Sequence, residues 1–348
     1  MTPTPMTPAP MTPTPITQEW LDQVVEPVED PGQRIIDAHH HLWPPDGVLL
    51  DGVDELTADV TSGHRVEHTV FMECGAGYLT DGPDHLRPTG ETAFVAGAAI
   101  GDPDHRIAGI VGHADLTDLD RLDEVLDTHR SVGHGRFRGI RHGGARDPNP
   151  RALMIRGNAP EGLYARPEFR VGVARLGARG LTYDTWHYHH QNSDFAALAR
   201  AVPDTQLVLD HFGTPLGVGG YADERESIFG QWREDIAEIA RCENVVAKLG
   251  GMAMPDNGFG WHTADRPPTS DQFVAAQARY YLHTIECFGP ERCLFESNFP
   301  MDRMSLSYRV LWNGLKKIAA PFSPSERDAM FFTNAARIYR LDVEGGGG

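Results

Sequence analysis

Cysteine is scarce in this chain and poorly placed for a structural role. Cys74, Cys242, Cys287 and Cys293 are its four cysteines, and no two have C-x-x-C spacing. That argues against a disulfide framework or a zinc knuckle and leaves reduced thiols. Long apolar runs are missing too: none approaches the roughly 18 residues of a membrane span. The first residues lack the basic segment and apolar core of a secretory signal, so a cytoplasmic protein without a membrane partner is expected. Basic charge is short, with 31 Lys and Arg against 49 Asp and Glu and a net charge of −18. Nucleic acid is therefore not expected as a partner, since phosphate binding needs a basic face. An acidic, high-GC proteome accounts for such a balance without any partner. No Gly-rich fingerprint follows the first apolar run, and Gly75-Ala76-Gly77 reads as a short turn rather than a nucleotide loop.

Histidine, by contrast, is plentiful at 17 residues, and three fall together in Ile35-Ile36-Asp37-Ala38-His39-His40-His41-Leu42-Trp43. Strand alternation puts His39 and His41 on one face and His40 on the other. The near-repeat MTPTP-MTPAP-MTPTP at the start cannot form a helix. Residues 1–20 are therefore assigned to a disordered leader, 343–348 to a disordered Gly tail and 21–342 to a single domain.

Within that domain short apolar runs alternate with amphipathic stretches. The expected strands are 35–41, 68–73, 107–115, 137–142, 181–189, 206–211, 245–249 and 293–298. Helices are expected near 53–61, 91–99, 119–129, 167–176, 195–201, 224–240, 270–288, 308–318 and 324–339. Eight βα units predict a TIM (β/α)8 barrel, with a doubly wound sheet as the competing α/β arrangement. Active sites of such barrels lie at the C-terminal strand ends. The expected ends carry His39 and His41, Glu73, His113, Arg141-His142, His187 and His189, Asp210-His211, Lys248, and Glu296 to Asn298 with Asp302 beyond. Gathering so many ionisable groups is costly unless a cation compensates, so a metal site is expected. Lys248 reads as a substrate clamp or a buried salt bridge. Arg141 reads as a substrate-carboxylate contact or a partner of Asp115. Trp186 and Tyr188, of opposite parity to His187, are expected to pack outward. The long segment 250–268 is expected to overhang the barrel mouth as an apolar lid or an oligomer contact.

The pattern resembles the amidohydrolase-related family 2, a branch of the amidohydrolase superfamily. The matching pieces are Ile35–Trp43, Phe137–His142, Leu209-Asp210-His211-x-Gly213-x-Pro215, Glu296-Ser297-Asn298-Phe299-Pro300 and Asn334–Tyr339. The resemblance implies metal ligands at His39, His41, His189 or His187, and His211. It also implies a metal-binding aspartate, serving as base for water, at the position of Asn298. Asparagine can do neither job. Glu73 and Asp302 are carboxylates beyond the mononuclear hydrolase set, and His142 and His187 are further imidazoles.

The expectation drawn from this is a dinuclear non-haem iron monooxygenase that hydroxylates a bulky apolar, terpenoid-like metabolite. Its ligand pool is His39, His41, Glu73, His142, His187, His189, His211 and Asp302, and Glu73, Asn298 and Asp302 are the catalytic candidates. Two iron ions, or an iron–manganese pair, would be the cofactor. Dioxygen, an external electron donor, a small-molecule substrate and a second copy of the chain would be the partners. The alternative is a lactonase or amidase that uses metal-activated water, with zinc as metal and Asp302 or Glu296 as base. A non-catalytic scaffold that keeps the metal for stability is the third reading.

Overall fold

The computed structural model describes residues 16–47, 49, 51–102, 104 and 106–343. The leader repeat and residues 344–348 lie outside them. Residues 16–20, placed in the leader from sequence, belong to the described chain. Thr17 caps a one-turn helix α1 (Gln18–Leu21) whose Leu21 is buried.

Eight strands follow: β1 (Arg34–His40), β2 (Arg65–Met72), β3 (Ile107–Gly112), β4 (Phe137–Arg141), β5 (Thr182–Thr185), β6 (Leu207–Leu209), β7 (Val245–Leu249) and β8 (Cys293–Phe295). They pair in chain order, all in parallel. The circle is closed at the end that carries the histidines. His40 bridges Phe299, His41 N donates to Phe299 O at 2.8 Å, and Asn298 N donates to His39 O at 2.9 Å. Helices α2 (Val53–Val60), α3 (Thr89–Gly101), α4 (Leu122–Val132), α5 (Pro167–Ala178), α6 (Asn192–Ala201), α7 (Arg225–Ala240), α8 (Ser270–Phe288) and α9 (Tyr308–Ala319) cover the outside. This is the predicted TIM barrel. The expected helix over 324–339 is three pieces, with a π turn at Ala329–Thr333 between two five-residue helices.

Strand alternation sorts the side chains into two cores. Ile36, Ala38, Val70, Met72, Val111, Val208, Val246 and Leu294 form the barrel interior, closed from below by Phe332, Ile338 and Tyr339. Ile35, Phe71, Ile110, Ile140, Tyr183, Leu209 and Phe295 face the helices. The β1–β2 register shifts between Asp37 and His40, and this bulge resets the alternation. His40 consequently turns outward onto Phe71, at 5.8 Å between ring centroids, and His39 and His41 turn toward the interior.

Four strands end two or more residues earlier than expected, β3 and β8 by three residues each and β5 and β6 with consequences for the site. β5 stops at Thr185 and β6 at Leu209. Beyond Thr185 no alternation operates, so the parity that grouped His187 with His189 does not apply. After β6 the chain takes four left-handed residues, His211 (φ +52°), Phe212 (+57°), Gly213 (+68°) and Thr214 (+41°), and this sharp turn aims His211.

Candidate active site

The uppermost interior layer of the barrel is made of charge. Arg141 ends β4, Asp184 lies on β5, Asp210 follows β6, Lys248 lies on β7 and Glu296 follows β8, with His39 on β1. Asp184, Asp210, Lys248, Glu296 and His39 are fully buried. Lys248 Nζ lies 3.0 Å from Asp184 Oδ2, 3.1 Å from Asp210 Oδ1 and 3.4 Å from His39 Nδ1. Burial alone would lower its pKa, but Asp210 and Asp184 more than offset that and raise it, so the ammonium is charged. The choice left open by sequence for Lys248 falls to the buried salt bridge. Arg141 Nε donates to Glu73 Oε1 at 2.8 Å, and the same guanidinium stands 3.7 Å from Asp210 Oδ2 and 3.5 Å from His39 Nε2. Its partner is thus Glu73 rather than Asp115.

Glu296 clamps two imidazoles with one carboxylate. His211 Nδ1 lies 2.6 Å from Oε1 and His39 Nδ1 lies 2.8 Å from Oε2, the latter an ion-pair contact short of hydrogen-bond alignment. A glycine pair makes the clamp possible. A Cβ on Gly251 (φ +70°) would fall 2.1 Å from His211 Nδ1, and one on Gly250 would fall 2.3 Å from Glu296 Cγ. His41 Nδ1 donates to Met72 O at 2.8 Å. His41 and His211 therefore have Nδ1 committed to an oxygen, leaving Nε2 as the free lone pair, whereas His39 Nδ1 lies between Glu296 Oε2 and the Lys248 ammonium. His39 Nε2 and His41 Nε2 face each other at 3.2 Å, a contact that only a proton or a cation between them makes favourable.

This donor set fits a divalent metal. His39, Asp210 and His211 offer ligand atoms within 4.8 Å of one another, His41 adjoins them, and neither Asp210 oxygen makes a hydrogen bond. Imidazoles whose second nitrogen is held by carboxylate or carbonyl oxygen are the usual form of metal-binding histidine. Burial first of all keeps the three rings neutral, as metal ligands must be: His211 falls to about 3, and His39 and His41 fall well below the usual histidine value. Burial likewise pushes Glu296 up to about 8 and Asp210 to about 6, even beside Lys248. A further cation among the imidazoles would keep such carboxylates ionised at neutral pH.

A cavity of about 640 Å³ opens over this layer, with His41, His211, Arg141 and Asn298 at its floor. Trp186 faces into it rather than outward, because β5 has already ended. Tyr188 is buried, its hydroxyl accepting from Gly157 N and donating to Ile155 O. One wall is the loop between β4 and α5, through Ala145, Ile155, Gly157, Asn158, Ala159 and Pro160. From the expected lid over 250–268, only Met254 lines the cavity. That segment instead props the β4–α5 loop, with Asp256 accepting from Met154 N at 2.7 Å and Ile155 N at 2.9 Å.

The remaining expected ligands lie outside the imidazole cluster. Glu73 lines the cavity edge, bound to Arg141. His142 lines the wall with Nδ1 accepting from Leu116 N at 3.2 Å. His187 is buried with Nε2 on Asn192 Oδ1 and Nδ1 shared by Tyr164 and Thr185, so neither nitrogen is available. His189 accepts from Leu216 N and packs on Tyr221. Asp302 is buried behind Asn298, accepting from Asn298 Nδ2 at 2.9 Å and Ala253 N at 3.1 Å. It does not line the cavity, and neither does Glu296. Asp184 and the double role of Glu296 escaped the sequence reading. Parity offered a signal, since Asp184, Lys248 and Glu296 each stand one or two positions from a strand end on the inward face.

One neighbouring carboxylate has a measurable titration. Glu91 on α3 accepts from Cys74 N at 3.0 Å and Ala76 N at 2.8 Å and so shapes the cavity edge. Burial, followed by the charge of Glu73, raises it to about 8. A carboxyl whose folded pKa exceeds its unfolded value binds its proton more tightly when folded. Its stabilisation is therefore complete below about pH 4.5 and is lost as pH rises toward 8. Glu91→Gln keeps the acceptor and removes the titration. Denaturant unfolding across pH 5 to 8 should show the wild-type chain losing a few kcal/mol that the variant retains. Parallel curves would refute the assignment.

Comparison with known proteins bears on the family and the fold. Residues 36–341 match the family model described as Amidohydrolase. The chain is 33% identical over 321 residues to the uncharacterized protein y4mH of Sinorhizobium fredii, covering 88% of this chain and 98% of that protein. It is 28% identical over 253 residues to an L-fucono-1,5-lactonase of Burkholderia multivorans, covering 72% and 77% respectively. An amidohydrolase from Burkholderia multivorans with bound HEPES superposes at a TM-score of 0.69 with 25% identity, over 88% of this chain and 99% of that one. A second crystal form of that amidohydrolase carries zinc.

These relatives overturn the monooxygenase expectation: the activity named among them is lactone hydrolysis. Among the described residues there is a single ligand cluster, and Glu73 and Asp302 lie outside it, tied to Arg141 and to Asn298 and Ala253. The match runs from the first strand to the segment that closes the barrel from below, and the chain belongs to the amidohydrolase family, within its superfamily of TIM-barrel enzymes.

Proposed function

We propose that this protein is a metal-dependent hydrolase that opens an ester or lactone with water. The observation that carries the reading is the trio His39, His41 and His211: His41 and His211, with Nδ1 held by oxygen and Nε2 free, line the floor of the cavity, and His39 is buried against both. The kinship with a lactonase supports the reaction class. A divalent ion held by these imidazoles with Asp210 would supply Lewis acidity and lower the pKa of water.

The chain's own residues account for the rest. Asn298 has no basicity, and Asp302 and Glu296 are shut away from the cavity. Glu73 is the one carboxylate among the described residues that lines it, and it takes the proton of the attacking water. Arg141 fixes Glu73 through Oε1 and leaves Oε2 for that proton. His142 accepts from Leu116 N at Nδ1, so its proton sits on Nε2. Burial, and then His113, lowers it to about 4, so it stays neutral at pH 7. It donates a hydrogen bond to the departing alkoxide oxygen, which becomes an alcohol by taking the proton that Glu73 removed from water. The apolar walls, Trp43, Trp186, Met254 and Met301, exclude bulk water.

The test is turnover of a panel of lactones and aryl esters in ¹⁸O-labelled water. Label should enter the carboxylate product, dipicolinate should abolish turnover and zinc should restore it. Glu73→Gln should lower kcat by roughly 10²–10⁴-fold. Turnover that incorporates oxygen from O₂, or full activity in Glu73→Gln, would overturn the proposal.

A further inference from the structure

At the opposite end of the barrel, where β4 and β5 begin, a recess of about 340 Å³ is lined by Arg130, Arg138, Arg179, Arg340 and Asp342. The chain as a whole carries a net charge of −18, so four guanidinium groups around one recess run against its composition. Only Arg179 has a carboxylate partner among the described residues, in Asp123 at 2.8 Å and Asp127. Arg138 spends its NH1 on the carbonyl oxygens of Gly135 and Phe137, and Arg340 spends its NH2 on Arg138 O. Arg130 has no hydrogen-bond or ion-pair partner among the described residues. Two donors are left over inside: Nε of Arg138 and Nε of Arg179 are buried with no acceptor. Native structures rarely leave buried donors unpaired without a ligand, water or ion to take them. Like charges so close disfavour one another, and Asp342 is the single acid lining the recess.

We infer that this recess is a binding site for a small oxyanion carrying two or more negative charges, of the phosphate or pyrophosphate type. Planar guanidinium forks match phosphate oxygens two at a time, and several on one anion give both affinity and geometry. The volume admits a pyrophosphate-sized ligand. Burial lowers the pKa of Arg138, Arg340 and Arg136 add to that, and Asp342 only partly offsets it. A bound anion reverses that balance. The site stands apart from the imidazole cluster and does not rest on the hydrolase reading.

The experiment is isothermal titration of the full chain with pyrophosphate and with inorganic phosphate at low ionic strength, paired with thermal melts. Saturable binding of pyrophosphate is expected, with a raised melting temperature. Arg340→Glu, an exposed change that leaves the core untouched, should weaken it by roughly tenfold or more, and Arg138→Gln should do the same. The zinc-loaded enzyme with Arg340→Glu should keep its lactone or ester turnover, which separates this site from the catalytic end. The proposal falls if the wild-type chain shows no saturable heat, or if Arg340→Glu binds pyrophosphate as the wild type does. A refolded Arg138→Gln with unchanged affinity would overturn it as well.

Discussion

Glu296→Gln should leave the barrel folded and lower its affinity for a divalent metal by roughly 10–100-fold. One carboxylate now meets two imidazole Nδ1 atoms, at 2.6 Å from His211 and 2.8 Å from His39. An amide can accept from one of them and must present its NH₂ to the other. One ring would then have to change tautomer or rotate, and its Nε2 would no longer be a lone pair aimed at the ion. At limiting zinc, turnover should fall in proportion to occupancy and recover as zinc is added. A competition titration against a chromophoric chelator measures the affinity directly. Glu296→Asp, which keeps the charge but shortens the reach, should fall between the two. Unaltered zinc affinity in Glu296→Gln would show that the clamp does not orient the ligands.

Lys248→Met should cost about 3–5 kcal/mol of unfolding free energy at pH 8. The ammonium is fully buried between Asp184 and Asp210 at 3.0 and 3.1 Å, with Glu296 in the same layer. Methionine fills much the same volume, so the loss is electrostatic rather than a cavity. Asp184 retains Thr182 Oγ1 and the Tyr339 hydroxyl, whereas Asp210 retains only Arg141 and His39, at 3.7 and 3.9 Å. The deficit has a definite pH dependence. Asp210 already stands near 6, because burial raises it against the pull of Lys248. Without the ammonium it rises further, and a carboxyl with a raised folded pKa favours the folded state as acid is added. The gap between variant and wild type should narrow from pH 8 toward pH 5. Urea unfolding at the two pH values measures it. A gap below about 1 kcal/mol at pH 8, or one that widens on acidification, would show that the lysine is dispensable to the charge layer.

The catalytic proposal and the anion site occupy opposite ends of one barrel. Arg141 and Arg138 lie on the same strand, the first beside Glu73 and the second beside an open recess. No helix among the described residues is long and apolar enough to cross a membrane.

The alternation of apolar runs with amphipathic stretches was enough to determine eight βα units. Eight outer helices, α2 to α9, and the strand starts follow from it closely, because burying one face of a helix or strand is a local, periodic requirement. The pairing of His39 with His41 was equally local. What sequence could not determine was where alternation stops. The bulge at Asp37–His40 and the early ends of β5 and β6 depend on closing the barrel and on a left-handed turn that only tertiary contacts hold. That is why His187 and His189, grouped by parity, lie apart from His39, whereas Trp186 faces the cavity. The chemistry of the far end was also a tertiary matter. Asn298 signalled a missing base, but the roles of Glu73, Asp302 and Glu296 depend on which of the three reaches the cavity. Asp302 is consumed by Ala253 N and Asn298, Glu296 by two imidazoles, and Glu73 alone remains open. A carboxylate in a sequence is only a charge; its function is decided by the partners that desolvate it, and those come from strands far apart in the chain.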